Sequence, residues 1–201
     1  VRGGKLEKFD EAPAKAIAGV EKVIRLDDAV VVVARGYWQA LKGVQALSPT
    51  FSDGGHAGLN TASIYAAQDK LRAGNEPAAI GGDGDVDAAF AATGAKLVEA
   101  TYRVPYLHHA MMEPFALTAH HHDGKLDVWA GLQDPLSVRT LAAEAAGLSV
   151  DAVTVHTTLM GGGFGRRFPQ QCEIIDQTVK VAMQCPWPVK MIWSREEEVR
   201  H

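Results

Sequence analysis

The residues best suited to chemistry lie in Leu159–Phe168, which reads Leu-Met-Gly-Gly-Gly-Phe-Gly-Arg-Arg-Phe. Three consecutive glycines remove every Cβ and permit positive φ, so backbone N–H groups can converge and a ligand can approach the chain closely. Arg166 and Arg167 add two full charges with forked donors. Such a loop is an anion cradle, suited to a phosphorylated or oxyanionic ligand. The competing reading is a tight turn whose arginines face water. Two common nucleotide cradles do not fit: G-x-x-x-x-G-K-[S/T] has no match here, and the dinucleotide fingerprint fails after Gly163 because x-x-Gly does not follow.

The flanking residues must position this loop. Ala152–Thr158 alternates as a strand, and Cys172, Ile175, Val179 and Ala182 recur at helical spacing, so the loop is a strand–glycine–helix junction. A helix N-terminus there adds partial positive charge. Gln133 stands at a second helix start. Asp134 caps that helix, Pro135 suits its first position, Val138, Leu141, Ala142 and Ala145 form its apolar face, and Gly147 ends it. The Gln133 amide can both donate and accept. Read blandly, it is an ordinary loop glutamine.

Pro105–Glu113 carries a dense set: Tyr106, His108, His109, Met111, Met112 and Glu113. Leu117–His122 and Leu126–Ala130 bracket Asp123-Gly124, a hairpin turn signal. Neither His108-His109 nor His120–His122 makes a natural chelate, because adjacent strand residues point to opposite faces. Polar strand and turn histidines are the expectation. Asp83-Gly-Asp-Val-Asp87 fails as a calcium loop, lacking Gly at its sixth position and Glu at its twelfth. Asp85 instead caps a helix over Val86–Thr93.

The remaining elements are simpler. Lys5–Phe9 reads as a strand, and Asp10 caps a helix over Glu11–Ala18 that ends at Gly19. Val20–Leu26 and Ala29–Ala34 read as strands, the second largely buried. Gly36–Leu47 reads as a helix with Trp38, Leu41, Val44 and Leu47 at helical spacing. Ser48–Gly82 reads as a connection. It holds a Thr61-capped helix reaching Leu71, and Gly74-Asn-Glu-Pro breaks that helix. Lys96–Val104 and Val189–Ser194 read as strands. The whole is an α+β chain.

Composition bounds the function. The 201 residues are 47% hydrophobic and 22% charged, which is globular rather than disordered. A net charge of −4 without a basic stripe excludes an electrostatic case for nucleic acid. No apolar run approaches the roughly twenty residues that span a bilayer. Cys172 and Cys185 form neither a metal-ligand nor an iron–sulfur spacing, and Cys172 reads as core packing. The chain starts at Val1 without an initiator Met or signal peptide and stops just after a strand. Both ends read as cuts through a longer polypeptide, which leaves the compartment open.

Three segments together carry a family resemblance: Pro105-Tyr-Leu-His-His-Ala-Met-Met-Glu-Pro114, Val128-Trp-Ala-Gly-Leu-Gln133 and Met160-Gly-Gly-Gly-Phe-Gly-Arg-Arg167. They resemble the molybdopterin-binding subunit of the xanthine dehydrogenase/aldehyde oxidase family, and within it the isoquinoline 1-oxidoreductase beta-subunit branch. The tail Pro188-Val-Lys-Met-Ile-Trp-Ser-Arg-Glu-Glu197 is similar to that branch too. Lys5–Leu47 is similar to the α/β hammerhead domain of these proteins. The resemblance implies three regions: a partial hammerhead-like domain over 1–50, a linker with short helices over 51–94, and the N-terminal part of the molybdopterin-binding domain over 95–201.

The resemblance also implies roles. Gly162, Gly163, Phe164 and Gly165 form the loop beside a molybdenum–molybdopterin cofactor, in the cytosine dinucleotide form. Phe164 shapes the substrate side, Gln133 hydrogen-bonds an oxo ligand, and Arg166 and Arg167 lie near cofactor or loop anions in place of the Gly-Lys of the xanthine dehydrogenase type. Implied activity is oxidative hydroxylation of an N-heterocycle or aldehyde, with electrons leaving through [2Fe–2S] clusters on a small iron–sulfur partner subunit. Two departures qualify this. Phe168 stands where the xanthine dehydrogenase type has a substrate-contacting glutamate, which argues against a purine. The family's general-base glutamate has no counterpart in this chain, so the chain is expected to hold part of the site and to be inactive alone. Two other readings stay open. One is a non-catalytic module binding a phosphorylated ligand at the Gly-Arg-Arg loop. The other is an assembly fragment whose cut edges mate with a missing half.

Overall fold

Alternating residues in β5 (Ala116–His122) and β6 (Lys125–Ala130) put Leu117, Ala119, Leu126, Val128 and Ala130 on one buried face. Asp123 (φ 47°) and Gly124 (φ 70°) turn between them. Both central residues have positive φ, the geometry whose twist matches antiparallel strands. This is the hairpin the sequence predicts. The computed structural model describes residues 3–74, 81–168 and 173–200.

Helix α5 (Pro135–Ala146) carries the chain from β6 across to β7 (Val153–Thr157), which pairs parallel with β6. Strand β8 (Val189–Ile192) pairs antiparallel with β5, giving the sheet order β7-β6-β5-β8. Helix α6 (Glu173–Ala182) contributes Ile174, Ile175, Val179 and Ala182 to a core shared with Val138, Ala142 and the buried sheet face. The ends of α5 follow the predicted chemistry. Asp134 Oδ1 accepts the Ser137 N–H at 3.1 Å, and Gly147 closes the helix in the left-handed region at φ 66°.

The chain before this sheet is the predicted small α+β arrangement. Strand β1 (Leu6–Lys8) pairs with β4 (Thr50–Phe51), and β2 (Val20–Arg25) pairs antiparallel with β3 (Val30–Ala34). Two details differ from expectation. Helix α1 covers only Ala12–Lys15, because Gly19 at φ 92° and the start of β2 turn the chain away early. In α2 (Tyr37–Ala46) Trp38 and Val44 are exposed. Gly43 is the buried contact instead: a Cβ there would sit 2.6 Å from Val32 Cγ1, so the helix backbone itself rests on β3.

Residues Val1–Gly55 and His108–His201 form one compact unit and His56–Leu107 a second. In the second, α3 (Thr61–Gly74) starts at Thr61, the residue predicted to cap it. Asn60, not Thr61, is the cap: Asn60 Oδ1 accepts the Ser63 N–H and Ser63 Oγ accepts the Asn60 N–H, both at 3.0 Å. Asp85 caps α4 (Val86–Ala91) as expected, accepting from Ala88 N–H at 2.8 Å. Lys96–Val104 forms no strand. A strand needs a ladder partner, and this segment is tied to α3 instead. Tyr65 donates to the Val104 carbonyl at 3.0 Å, and Arg103 pairs with Asp69 at 2.5 Å. After β8 the chain forms a further helix that the sequence reading missed, α7 (Arg195–Arg200). Cys172 and the Asn75–Pro77 part of the predicted break lie outside the described residues.

Candidate functional site

The glycine loop leaves β7 and runs against the end of β6. A Cβ on Gly131 would meet Leu159 O at 2.9 Å, so the two stretches touch through backbone. Each of the three consecutive glycines then has its own reason. A Cβ on Gly161 would lie 2.6 Å from Glu113 Oε2. Gly162 adopts φ 96°. A Cβ on Gly163 would lie 2.5 Å from Gln133 Oε1. Phe164 also has positive φ, 50°, a conformation that costs a non-glycine residue about 1 kcal/mol.

The loop's backbone donors divide into two groups. Gly161 N–H is taken by the Glu113 carboxylate. Gly165 and Arg167 donate to Gln133 Oε1 at 3.1 and 3.3 Å, and Arg166 donates to Gly163 O at 2.8 Å. The N–H groups of Gly162, Gly163 and Phe164 have no acceptor among the described residues. Three successive free donors around left-handed residues form a nest, an anion-binding concavity. Gln133 borders it, and its orientation is set by the loop. Two N–H groups point at Oε1, so Nε2 is left as the free donor. The ring of Phe164 is 74% exposed beside the nest.

The two arginines do not face water. Both lie inside the fold, Arg166 at 4% and Arg167 at 1% exposure. Arg167 donates to Gly131 O at 3.1 Å and Glu113 O at 2.8 Å, and its Nη2 is 3.4 Å from Glu113 Oε2. Arg166 lies 3.6 Å from Glu173. Both guanidinium groups sit over the Phe115 ring, 5.3 and 5.1 Å from its centroid. Carbonyls, a carboxylate and an aromatic face supply inward partners that loop spacing does not reveal.

Three contributors have no role assigned from the sequence. Glu113, named there only within its segment, is one. The others are Arg195 and Glu198, an i, i+3 pair on α7 at 2.5 Å. Arg195 also donates to the carbonyls of Met111 and Met112, pinning the segment that leads to Glu113. The i, i+3 charge spacing in the tail was the available signal. The structure brings Gln133, Gly162, Gly163, Phe164 and Gly165 together, the grouping that the family resemblance implies.

The strand histidines form a separate cluster. Asp127 receives His122 Nε2 at 2.8 Å and His156 Nε2 at 2.6 Å, one from each neighbouring strand. These hydrogen bonds hold the Asp127 carboxyl below its ordinary pKa, and hydrogen bonds to Asp127 and Asp123 raise that of His122. Trp129 stacks on His156 at 4.8 Å. Among the described residues no group of three His, Cys, Asp or Glu side chains could hold a metal ion. A cleft of about 1250 Å³ is bordered by Val31, Leu41, Trp187 and Met191, and none of the described loop residues lines it. No helix among the described residues is long and apolar enough to cross a membrane.

Comparison with known proteins gives a consistent result. The molybdopterin cofactor-binding domain family matches residues 72–201. Isoquinoline 1-oxidoreductase subunit beta of Brevundimonas diminuta is 29% identical over 100% of this chain and 26% of its own length. The chain thus spans about a quarter of that curated relative. Among solved structures, the aldehyde oxidoreductase of Desulfovibrio gigas superposes with a TM-score of 0.70 at 19% identity, covering 97% of this chain and 26% of that one. Quinoline 2-oxidoreductase of Pseudomonas putida 86 superposes with a TM-score of 0.66 at 18% identity, over 97% of this chain and 30% of that one. At these identities the structural likeness establishes the fold.

Proposed function

The chain belongs to the molybdopterin cofactor-binding domain family, and from that premise we propose that it is part of the large subunit of a molybdenum hydroxylase. The observation that carries this reading is the nest of free N–H groups at Gly162, Gly163 and Phe164 beside a Gln133 amide oriented to donate. Oxo, sulfido and phosphate groups accept hydrogen bonds and offer none, so a site of pure donors suits a molybdenum–molybdopterin centre. When bound, that centre supplies oxidative hydroxylation of an N-heterocycle or aldehyde, with water as oxygen source.

The chain's own residues position and shape. Gln133 would present Nε2 to such a centre, and the loop N–H groups would hold its anionic oxygens. Phe164, exposed at the loop tip, borders the substrate side. Gly165 lets the chain turn back so that Gln133 is clasped. Arg166 and Arg167 serve the cofactor loop from within, by fixing its backbone. Phe168 in place of a carboxylate leaves the substrate side without a partner for a purine's polar edge. We assign the three regions 1–50, 51–94 and 95–201 to a hammerhead-like domain, a linker and the first part of the cofactor domain. The cofactor would be the cytosine dinucleotide form, and [2Fe–2S] clusters on a small partner subunit would supply the electron acceptor. A general-base glutamate comes from outside these 201 residues, so the chain alone is inactive.

Burial of both arginines weighs against the alternative of a module that grips a phosphate ester with them. Metal analysis tests the proposal. The full-length subunit, produced with its iron–sulfur partner, is expected to carry close to one molybdenum per chain and to lose activity in Gln133→Ala. A well-folded, fully matured complex without molybdenum would overturn it.

A further inference from the structure

We infer that Glu113 is the positioning residue of the glycine loop and that Arg167 is its fixed counterpart; the inference rests on the cofactor-loop reading above. Glu113 precedes Pro114, which biases its backbone toward an extended conformation and leaves carbonyl and side chain free to engage different groups. Its carbonyl accepts from Arg167 Nη2 at 2.8 Å. Its carboxylate accepts the Gly161 N–H and lies 3.4 Å from the same Arg167 nitrogen. Arg167 is the most deeply set of these groups, 1% exposed, with Gly131 O as a further acceptor and the Phe115 ring against its face. Arg167 therefore holds Glu113 from inside, and Glu113 holds Gly161, the residue just ahead of the nest.

The contact has two consequences for the site. It engages the Gly161 N–H with the Glu113 carboxylate, and the next three donors, Gly162 to Phe164, have no acceptor among the described residues. It also explains the first glycine of the triplet. A side chain at 161 would meet Glu113 Oε2 at 2.6 Å and Glu113 Cβ at 2.7 Å, so this glycine makes room for Glu113 and not for a ligand. A carboxylate beside an anion site would repel an oxyanion were it uncompensated. The guanidinium of Arg167 offsets that charge while itself remaining out of the nest. Arg195 extends the support, binding the carbonyls of Met111 and Met112 just ahead of Glu113.

The test compares full-length wild type with Glu113→Leu, which removes the acceptor at similar volume, and Glu113→Gln, which keeps an acceptor and removes the charge. Amide hydrogen exchange is followed in the peptide covering 159–168 and in the β5–β6 hairpin. Glu113→Leu is expected to speed exchange at Gly161 at least tenfold with the hairpin unchanged, and Glu113→Gln to stay within threefold of wild type. Molybdenum per chain falls in Glu113→Leu. The electron paramagnetic resonance spectrum of the fraction that still carries metal changes, which a general loss of stability would not produce. Unchanged exchange in the loop, or equal acceleration in Leu and Gln variants, would overturn the inference. If Glu113→Leu does not fold, Glu113→Asp withdraws the carboxylate by one methylene and is expected to give the same local acceleration. A wild type with protected Gly161 but no molybdenum would sink the functional reading and leave the positioning contact standing.

Discussion

The β7-β6-β5-β8 sheet and the segment His56–Leu107 use similar residues to opposite ends. Leu117, Leu126 and Val128 are fully covered by α5 and α6, whereas Leu97, Val98 and Val104 stand in solvent, Val98 at 81% exposure. Among the described residues of His56–Leu107 none is buried. Both regions contain helices with good side-chain caps, at Asp134 and Asn60. Local signals therefore suffice to start a helix in either place, and only a neighbouring apolar face turns an alternating run into a core strand. The same distinction separates Leu126–Ala130, which pairs on both edges, from Lys96–Val104, which pairs on neither.

Substitutions can break or sharpen that contrast. The largest effect is expected from Leu126→Ala, which leaves a void in the shared core and lowers unfolding stability by about 4 kcal/mol in denaturant titration. Val98→Ala, the matching truncation in the exposed segment, is expected to change it by less than about 0.5 kcal/mol. Equal losses at the two positions would contradict the contrast. Arg167→Met, which orphans two carbonyls and Glu113, is expected to cost about 3 kcal/mol by the same assay and to reduce cofactor retention. At the caps, Asp134→Ala should cost about 1 kcal/mol because α5 is packed. Asp85→Ala, on the unburied α4, should barely move the melting temperature.

The smallest expected effect is a pH dependence confined to the sheet. His122 has a raised pKa in the folded state, so its protonation contributes stability that is fully present below its unfolded value near 6.5. That contribution is lost as pH rises through the folded value. Asp127 has a lowered pKa, so its contribution is present above its unfolded value and is lost as pH falls through the folded one. Asp127→Asn is expected to flatten the stability profile just above pH 6.5 and at acidic pH. A profile identical to wild type would remove the histidine–aspartate pairing as its source.

Much of the candidate site is legible in residue order. Gly-Gly-Gly-Phe-Gly between a strand and a helix marks a loop of backbone N–H groups, and the family resemblance sets Gln133 beside it. The arginines are not legible, because a charged pair after glycines reads as surface chemistry. Their partners, Glu113 and Phe115 ahead of β5 and Gly131 just after β6, come from other parts of the chain. Glu113 is hidden for the same reason, lying 48 residues from Gly161.

By itself the sequence determines elements whose cause is local: the caps at Asp134 and Asp85, the Asp123-Gly124 turn, the left-handed close at Gly147 and the helical and alternating stripes. Each follows from contacts within a few residues, where chain connectivity sets the geometry. Tertiary structure alone decides which strands find a ladder, which charges turn inward and why each glycine of the triplet is needed. Those outcomes depend on groups brought together across the fold. Desolvating an arginine is tolerated only where distant carbonyls and a carboxylate are already in place to receive it.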